Sequence, residues 1–449
     1  MTRKNSMKLI PALMLLGFAG AAGAAGFAIQ NQTGSGNGNA FAGAAAAAED
    51  AGTIYFNPAG MTNLPMGHNV TAVGTILERT IEFKNTGTTT FNNGAPFTAP
   101  AGGSLSIYAP TGNGGNAGGV GLIPAGYWSY AYSKDLRFGV GVSPTFGNET
   151  DYGKNFRGFN SGFYAEMVQM NINPSIAYKV NDMLSIGAGV SFAHNEITLK
   201  QGFPVQSPFG AVGLPAGNFI KVTGDDWATG FNLGATFQFS PNTRVGLSYR
   251  SETRFDLEGK QKVNITTANP LVTRLNTDVK VSLDMPANAS LAISHQMDRW
   301  QFLGDYTWTG WSSVDNVNLK NKNTGALIQT LPFNFQDTYR VGLGVNYQYN
   351  EQVKTRFGIA YDKAPVKSAT YRTMTLPDSD RMWLSFGAKY NLSKESSLDF
   401  GYSHIFFDDA RTAKPVPLST IPGGVAQTIN GKWDNNSANL LSAAYNHTF

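Results

Sequence analysis

The sequence predicts an all-β fold: a transmembrane antiparallel β-barrel of about 14 strands, with an N-terminal lumenal hatch (a plug) containing short helices. Three observations predict it. From about His68 to Phe449, apolar residues alternate with small or polar ones. Only 14% of residues are charged, against about 25% in a soluble domain. Beyond the N-terminus no run approaches the roughly 18 apolar residues of a membrane-crossing helix. A chain that avoids charge without long apolar runs fits a barrel, where only every second residue need be apolar.

The first element is a secretory signal, residues 1–24. Arg3, Lys4 and Lys8 form a basic start, Leu9 to Ala22 an apolar middle, and Ala22-Gly23-Ala24 a small-residue cleavage site, placing the mature start at Ala25. Removing it takes three of 34 basic residues and none of 30 acids, leaving +1. The basic balance is then a property of the signal and gives no reason to expect nucleic acid as a partner. An exported chain with no cysteine has no disulfide framework.

Residues 25–67 lack alternation, are rich in Gly and Ala, and carry almost no charge. A ring of about fourteen strands is wider than its own side chains can fill, and a small-residue segment packs closely against the walls. These residues are therefore assigned to a hatch, with a short helix expected over Ala40–Ala51. The competing reading is a flexible periplasmic tail.

Residues 68–449 form the barrel. Phe231, Leu233, Ala235, Phe237 and Phe239 alternate with Asn232, Gly234, Thr236 and Gln238. Val341, Leu343, Val345, Tyr347 and Tyr349 repeat the pattern, as do Leu384, Phe386, Ala388, Tyr390 and Leu392. In a membrane barrel the apolar face meets lipid and the Gly, Asn, Gln and Thr face lines a wet lumen. Turn signals at Lys134-Asp135, Asn181-Asp182, Ser240-Pro241-Asn242, Asn350-Glu351 and Ser393-Lys394-Glu395 mark one end. Residues 86–117, 201–226 and 414–431 are expected as external loops at the other. The last strand ends Leu441, Ala443, Tyr445, His447, Phe449, an alternating terminus closed by Phe like the signal read by the barrel-assembly machinery.

Motifs then accumulate in order: Ala25-Gly26-Phe27, Glu49-Asp50-Ala51-Gly52, Tyr55-Phe56-Asn57-Pro58-Ala59-Gly60, Tyr249-Arg250-Ser251-Glu252, Asp337-Thr338-Tyr339-Arg340 and Pro377-Asp378-Ser379-Asp380-Arg381-Met382-Trp383. With these the chain resembles the FadL-like family of outer-membrane long-chain fatty-acid and hydrocarbon transporters. The resemblance implies a fourteen-stranded barrel with a hatch, capture of a hydrophobic small molecule by external loops, and a pocket beside the hatch. It also implies sideways release into outer-membrane lipid through a gap at a kinked third strand. Phe27, Asn57, Pro58 and Ala59 match hatch positions near the ligand. Lys200 matches one of two basic positions that meet a carboxylate. The second falls at Gln336, which leaves room for a neutral ligand such as an aromatic hydrocarbon. The kink matches Ile123-Pro124-Ala125-Gly126, where Pro lacks a donor and Gly weakens a strand. By alternation Arg250 and Arg340 point inward. With Arg381 they are expected to tie the hatch to the wall, with Glu49, Asp50, Glu252 and Asp337 as candidate partners.

Enzyme chemistry finds no support. His68, His194, His295, His404 and His447 show no metal-ligand spacing, and no nucleophile elbow or phosphate loop occurs. No metal or cofactor is expected, and a monomer is. An outer-membrane lipid hydrolase, a general porin and an adhesin are the remaining readings. A porin has no need of a 40-residue N-terminal plug.

Overall fold

The computed structural model describes residues 26–87, 90–93, 110–202, 217–264, 275–417 and 425–449. The expected signal peptide lies outside the described residues, as do large parts of the three expected external loops.

Fourteen strands form the ring: β1 (His68–Thr80), β2 (Gly119–Ala131), β3 (Leu136–Asp151), β4 (Tyr164–Lys179), β5 (Leu184–Gly202), β6 (Phe219–Ser240), β7 (Thr243–Arg250), β8 (Asn288–Met297), β9 (Trp300–Thr309), β10 (Thr338–Gln348), β11 (Val353–Asp362), β12 (Arg381–Asn391), β13 (Ser396–Phe407) and β14 (Ser437–Thr448). Neighbours pair antiparallel, and β14 returns to β1 from Asn69↔Thr448 to Thr80↔Ser437, which closes the sheet. Closure pairs backbone groups that an open edge would leave bare in lipid. The short connections 132–135, 180–183, 241–242, 298–299, 349–352 and 392–395 share one end with Phe449, whose N–H donates to the His68 carbonyl.

The alternation fixes which face is outside. Phe231 and Leu233 are 47% and 49% exposed, and Asn232 between them 2%. Trp227 and Phe239 share the outward face of β6, 12 positions apart. At about 3.3 Å per residue and a tilt near 40°, they stand roughly 30 Å apart, the height of a bilayer core between two aromatic girdles.

Beyond the upper girdle the sheet continues and its polarity inverts. The upper part of β6, Phe219 to Asp225, pairs with Thr253–Asn264. That segment pairs with Thr277–Met285, which joins the hairpin Asn316–Asn321 and Leu327–Pro332. Here Val222, Phe255, Leu257, Val279, Val281 and Leu283 are buried inside, while Lys221, Arg254 and Glu258 face water. Residues 219–226, expected as loop, are therefore strand. Ile220 and Val222 sit on the side opposite to the apolar residues below the girdle, so a pattern tuned to lipid contact misses them.

The N-terminal segment runs inside the ring as α1 (Gly34–Asn37), α2 (Ala44–Ala47), α3 (Thr53–Phe56) and a 3-10 turn, Pro58–Asn63. The expected Ala40–Ala51 helix shrinks to the four residues of α2. Ala40, Phe41, Gly43 and Ala48 have left-handed φ values of 54°, 57°, 69° and 49°, which end helical hydrogen bonding on either side. Side chains of the wall take carbonyls that a longer helix would use: Arg340 donates to Ala40, and Arg244 to Ala46 and Ala47. Ile29 and Phe41 pack with Leu77, Ile123, Trp383, Ile405 and Leu440 of the wall, a core shared by segment and barrel.

Candidate functional site

The turn Asn57-Pro58-Ala59 seats the segment on β5, β6 and β7. The Asn57 amide donates to the Ala45, Ala235 and Leu247 carbonyls at 2.8, 3.0 and 3.3 Å, and its Oδ1 accepts from Ala59 N–H at 3.1 Å. One side chain thus joins the turn, α2 and two strands. The wall opposite is glycine because nothing larger fits. A Cβ on Gly234 would stand 2.0 Å from Asn57 Oδ1, and one on Gly187 2.4 Å from Ala59 N.

The three arginines singled out by sequence all reach the segment or its supports. Arg250 donates to the Tyr55 carbonyl and to Ser191 Oγ, each at 3.0 Å, with its guanidinium 4.8 Å from the Tyr55 ring centre. Arg340 donates to the Ala40 carbonyl and pairs with Asp305 at 3.2 Å. Arg381 pairs with Asp378, whose Oδ2 accepts from Gly26 N–H at 2.7 Å. Their acidic partners differ from those expected. Asp305 and Asp378 serve, whereas Asp337 accepts from Trp308 and Ser312, and Asp50 from Ser35 and Gly52. Glu252 forms no ion pair among the described residues.

Sequence reasoning missed the most buried tie. Arg356 on β11 bridges Glu49 of the segment and Asp399 of β13, the latter at 2.6 Å, with its side chain fully buried. Burial alone would raise the Glu49 carboxyl, but Arg356, Lys354 and Lys389 outweigh it and hold it well below the usual carboxylate range. Next to it, burial pushes Asp50 up to about 6. The basic residue, at a lumen-facing position in Lys354-Thr355-Arg356, was the available signal.

At β2 and β3 the wall is incomplete. Their ladder ends at Gly126↔Val142, although β2 remains paired with β1 up to Gly119. The register of β3 slips between Pro144 and Phe146. Residues 26–32 lie against this edge from within: Ile29 N–H donates to Thr145 O at 2.9 Å, and Gly147 N–H to Phe27 O at 2.8 Å. Gln32 donates to the Pro144 carbonyl of β3 and accepts from Tyr127 of β2, both at 2.7 Å. Pro124, Ala125 and Gly126, expected as the kink of a third strand, belong to the second. Pro124 faces Gly74 in unbroken register, because its missing N–H lies outside that ladder's demands. The irregularity of the third strand itself is Pro144–Phe146.

Above this junction rises an apolar column. The Phe27 ring sits 4.8 Å from Trp311 and 6.1 Å from Phe146, and the column continues through Phe335, Val366 and Leu376 to the inner face of the external sheet. Beside the segment opens a chamber lined by Phe41, Tyr55, Phe56, Pro58, Phe146 and Arg250 among others.

A family described as "Outer membrane protein transport protein (OMPP1/FadL/TodX)" matches residues 15–449. A putative outer membrane protein of Neisseria meningitidis serogroup B is 30% identical, covering 90% of this chain and 91% of that one. The long-chain fatty acid transport protein of Escherichia coli K12 is 27% identical over 86% and 88%. The chain belongs to this family. In fold, a Pseudomonas aeruginosa FadL homologue superposes with a TM-score of 0.83 at 24% identity, covering 95% of this chain and all of that one. The protein is thus an outer-membrane transport barrel for hydrophobic compounds, and not an enzyme.

Within this FadL/TodX-family barrel, Lys200 does not reach the lumen. On β5 the exposed Val190 and Phe192 are even-numbered, so Lys200 shares their outward face. It stands opposite Tyr164 and Lys221 with its ammonium 3.6 Å from the Tyr164 ring centre. Strand register corrects the expected carboxylate contact. Gln336 does stand at the rim of the column, where its amide donates to the Ala364 carbonyl at 3.3 Å.

Proposed function

We propose that the protein carries long-chain fatty acids passively. They are captured among the external strands, descend the apolar column to the chamber beside a hatch formed by residues 25–67, and leave sideways into the bilayer between β2 and β3. Residues 1–24 are removed on export. The carrying observation is the break in the wall: the β2–β3 ladder ends at Gly126↔Val142, and beyond it the Pro144–Gly147 stretch of β3 is covered from inside by residues 26–32. The name of the Escherichia coli relative supports the ligand class.

The energetics favour that route. Burying a methylene contributes about 0.8 kcal/mol, so a chain of about fifteen gains roughly 12 kcal/mol by staying out of water. Release into lipid keeps that gain and release into the periplasm forfeits it. The concentration gradient suffices as driving force.

Gly126→Trp tests the exit. A Cβ there meets nothing within 4 Å, and Leu122 and Trp128 show that its face is outward, so the indole is expected to stand at the outer mouth of the gap. Oleate binding to the purified variant is expected to persist while uptake by cells drops to that of cells lacking the protein. Undiminished uptake refutes the lateral route. Gln336, neutral where the resemblance implies a second cation, favours a second reading, aromatic-hydrocarbon uptake. Under that reading toluene displaces bound oleate and oleate uptake is absent.

A further inference from the structure

Two lysines outside the expected site each bond the segment Pro332–Phe335 at the upper end of the column. Lys414 follows the short strand Ala410–Thr412, and its ammonium donates to the Pro332 carbonyl at 2.8 Å and the Tyr371 carbonyl at 3.4 Å. Lys367, in the loop between β11 and β12, donates to Asn334 Oδ1 at 2.8 Å. Both therefore hold the segment Pro332–Phe335. All 30 carboxylates of the chain lie among the described residues, yet no ion pair there includes either lysine.

Lys414 is half-buried, and burial pushes its ammonium down to about 8, with no neighbouring charge to offset the loss of water. An ammonium has three donors, and two carbonyls leave one free. A partly desolvated cation without a counter-ion is a costly arrangement that an arriving anion relieves.

The same four residues lead inward. The Phe333 and Phe335 rings are 5.2 Å apart, Phe335 is 6.0 Å from Trp311, and Trp311 is 4.8 Å from Phe27. Val366, next to Lys367, also belongs to the column. Cations stand at one end of a continuous aromatic path and the N-terminal segment at the other. That arrangement suits a molecule with an anionic head and a long apolar tail, and a neutral hydrocarbon leaves the cations unanswered.

We propose that Lys414, assisted by Lys367, receives the carboxylate of a fatty acid whose alkyl chain lies along Phe333, Phe335, Trp311 and Phe27. The site rests on the fatty-acid reading and supplies the head-group contact that Lys200 and Gln336 do not.

The test compares oleate with oleyl alcohol, which has the same tail and no charge, on the purified full-length barrel in detergent. Lys414→Met is expected to weaken oleate about ten-fold, the worth of one charged hydrogen bond, and to leave oleyl alcohol within about two-fold. Lys414→Arg is expected to retain oleate affinity. Equal losses for both ligands, or no loss for oleate in Lys414→Met combined with Lys367→Gln, overturn the assignment. A wild-type protein that binds toluene but neither oleate nor oleyl alcohol overturns the fatty-acid reading and the site together. One that binds both eighteen-carbon ligands equally removes the site alone.

Discussion

Replacing Arg356 with Met should loosen the N-terminal segment more than any other single change in the wall. The arginine is fully buried between Glu49 and Asp399, whose side chains are 12% and 2% exposed. Without it Glu49 keeps Lys354 at 3.7 Å and the Asn346 amide at 2.9 Å. Asp399 keeps the Asn446 amide at 2.8 Å and no other ion pair among the described residues. Stranding one partner of a buried pair costs about 3–5 kcal/mol, and most of that falls on Asp399. Glu49→Gln leaves Arg356 and Asp399 paired and removes one charged hydrogen bond, about 1.5–3 kcal/mol. Adding Asp399→Asn to Arg356→Met should recover much of the loss, because the stranded charge is gone. The chain has no cysteine, so Ala47→Cys offers a unique thiol on the segment. Its modification rate should rise about a hundred-fold in Arg356→Met if 3 kcal/mol is lost, with ion conductance appearing in planar bilayers. A rate within about two-fold of the parent and a silent bilayer would refute the reasoning, since such a result leaves no room for the 3 kcal/mol.

Asn57→Ala strands the Ala45, Ala235 and Leu247 carbonyls and should destabilise the seating by about 1–3 kcal/mol, seen as faster proteolysis of residues 26–67 in an intact barrel; unchanged cleavage would rule it out. Asp50 gives a pH dependence. Its folded value, about 6, lies above the ordinary 3.8, so the protonated form is the favoured one in the folded state. Its stabilising contribution is complete below about 3.8 and is lost as pH rises through 6. Thiol modification at position 47 should therefore be slower at pH 5 than at pH 7.5 after correction for thiolate fraction, and Asp50→Asn should abolish the difference.

How much of this was legible depended on what each residue faces. Strands in lipid announce themselves, because the outward face must be apolar at every second position, as in Phe231 and Leu233. Above the girdle the rule reverses. The apolar residues of Thr253–Asn264, Phe255 and Leu257, turn inward and Arg254, Asp256 and Glu258 turn to water. An outward-apolar criterion has no purchase there, and residues 219–226 passed for loop. The arginines were legible as inward by alternation, yet their partners were not, since Glu49 and Arg356 are separated by some three hundred positions. Lys200 shows the converse limit. Alignment finds the position, but strand parity decides which side of the wall its ammonium occupies.

The proposed route asks the segment to move in one part and stay in another, and the contacts divide it that way. Residues 26–32 are held by Gly26 on Asp378, Phe27 and Ile29 on β3, and Gln32 between Tyr127 and Pro144. Five such hydrogen bonds at about 1 kcal/mol each, with about 2 kcal/mol for burying Phe27, come to roughly 7 kcal/mol. An alkyl chain of about fifteen methylenes brings roughly 12 kcal/mol by leaving water, enough to take over the contacts of Phe27 and lift this stretch from β3. Residues 34–63 are tied by Arg356, Arg340, Arg244, Arg250 and Asn57, several of them buried charges whose rupture costs about 3–5 kcal/mol apiece. On the proposed route the ligand's gain therefore falls between the two: it suffices to uncover the gap between β2 and β3 and falls short of expelling residues 34–63. A barrel that opened by losing the whole segment would leak ions at each passage, whereas one that yields only at residues 26–32 opens toward lipid and stays closed along its axis.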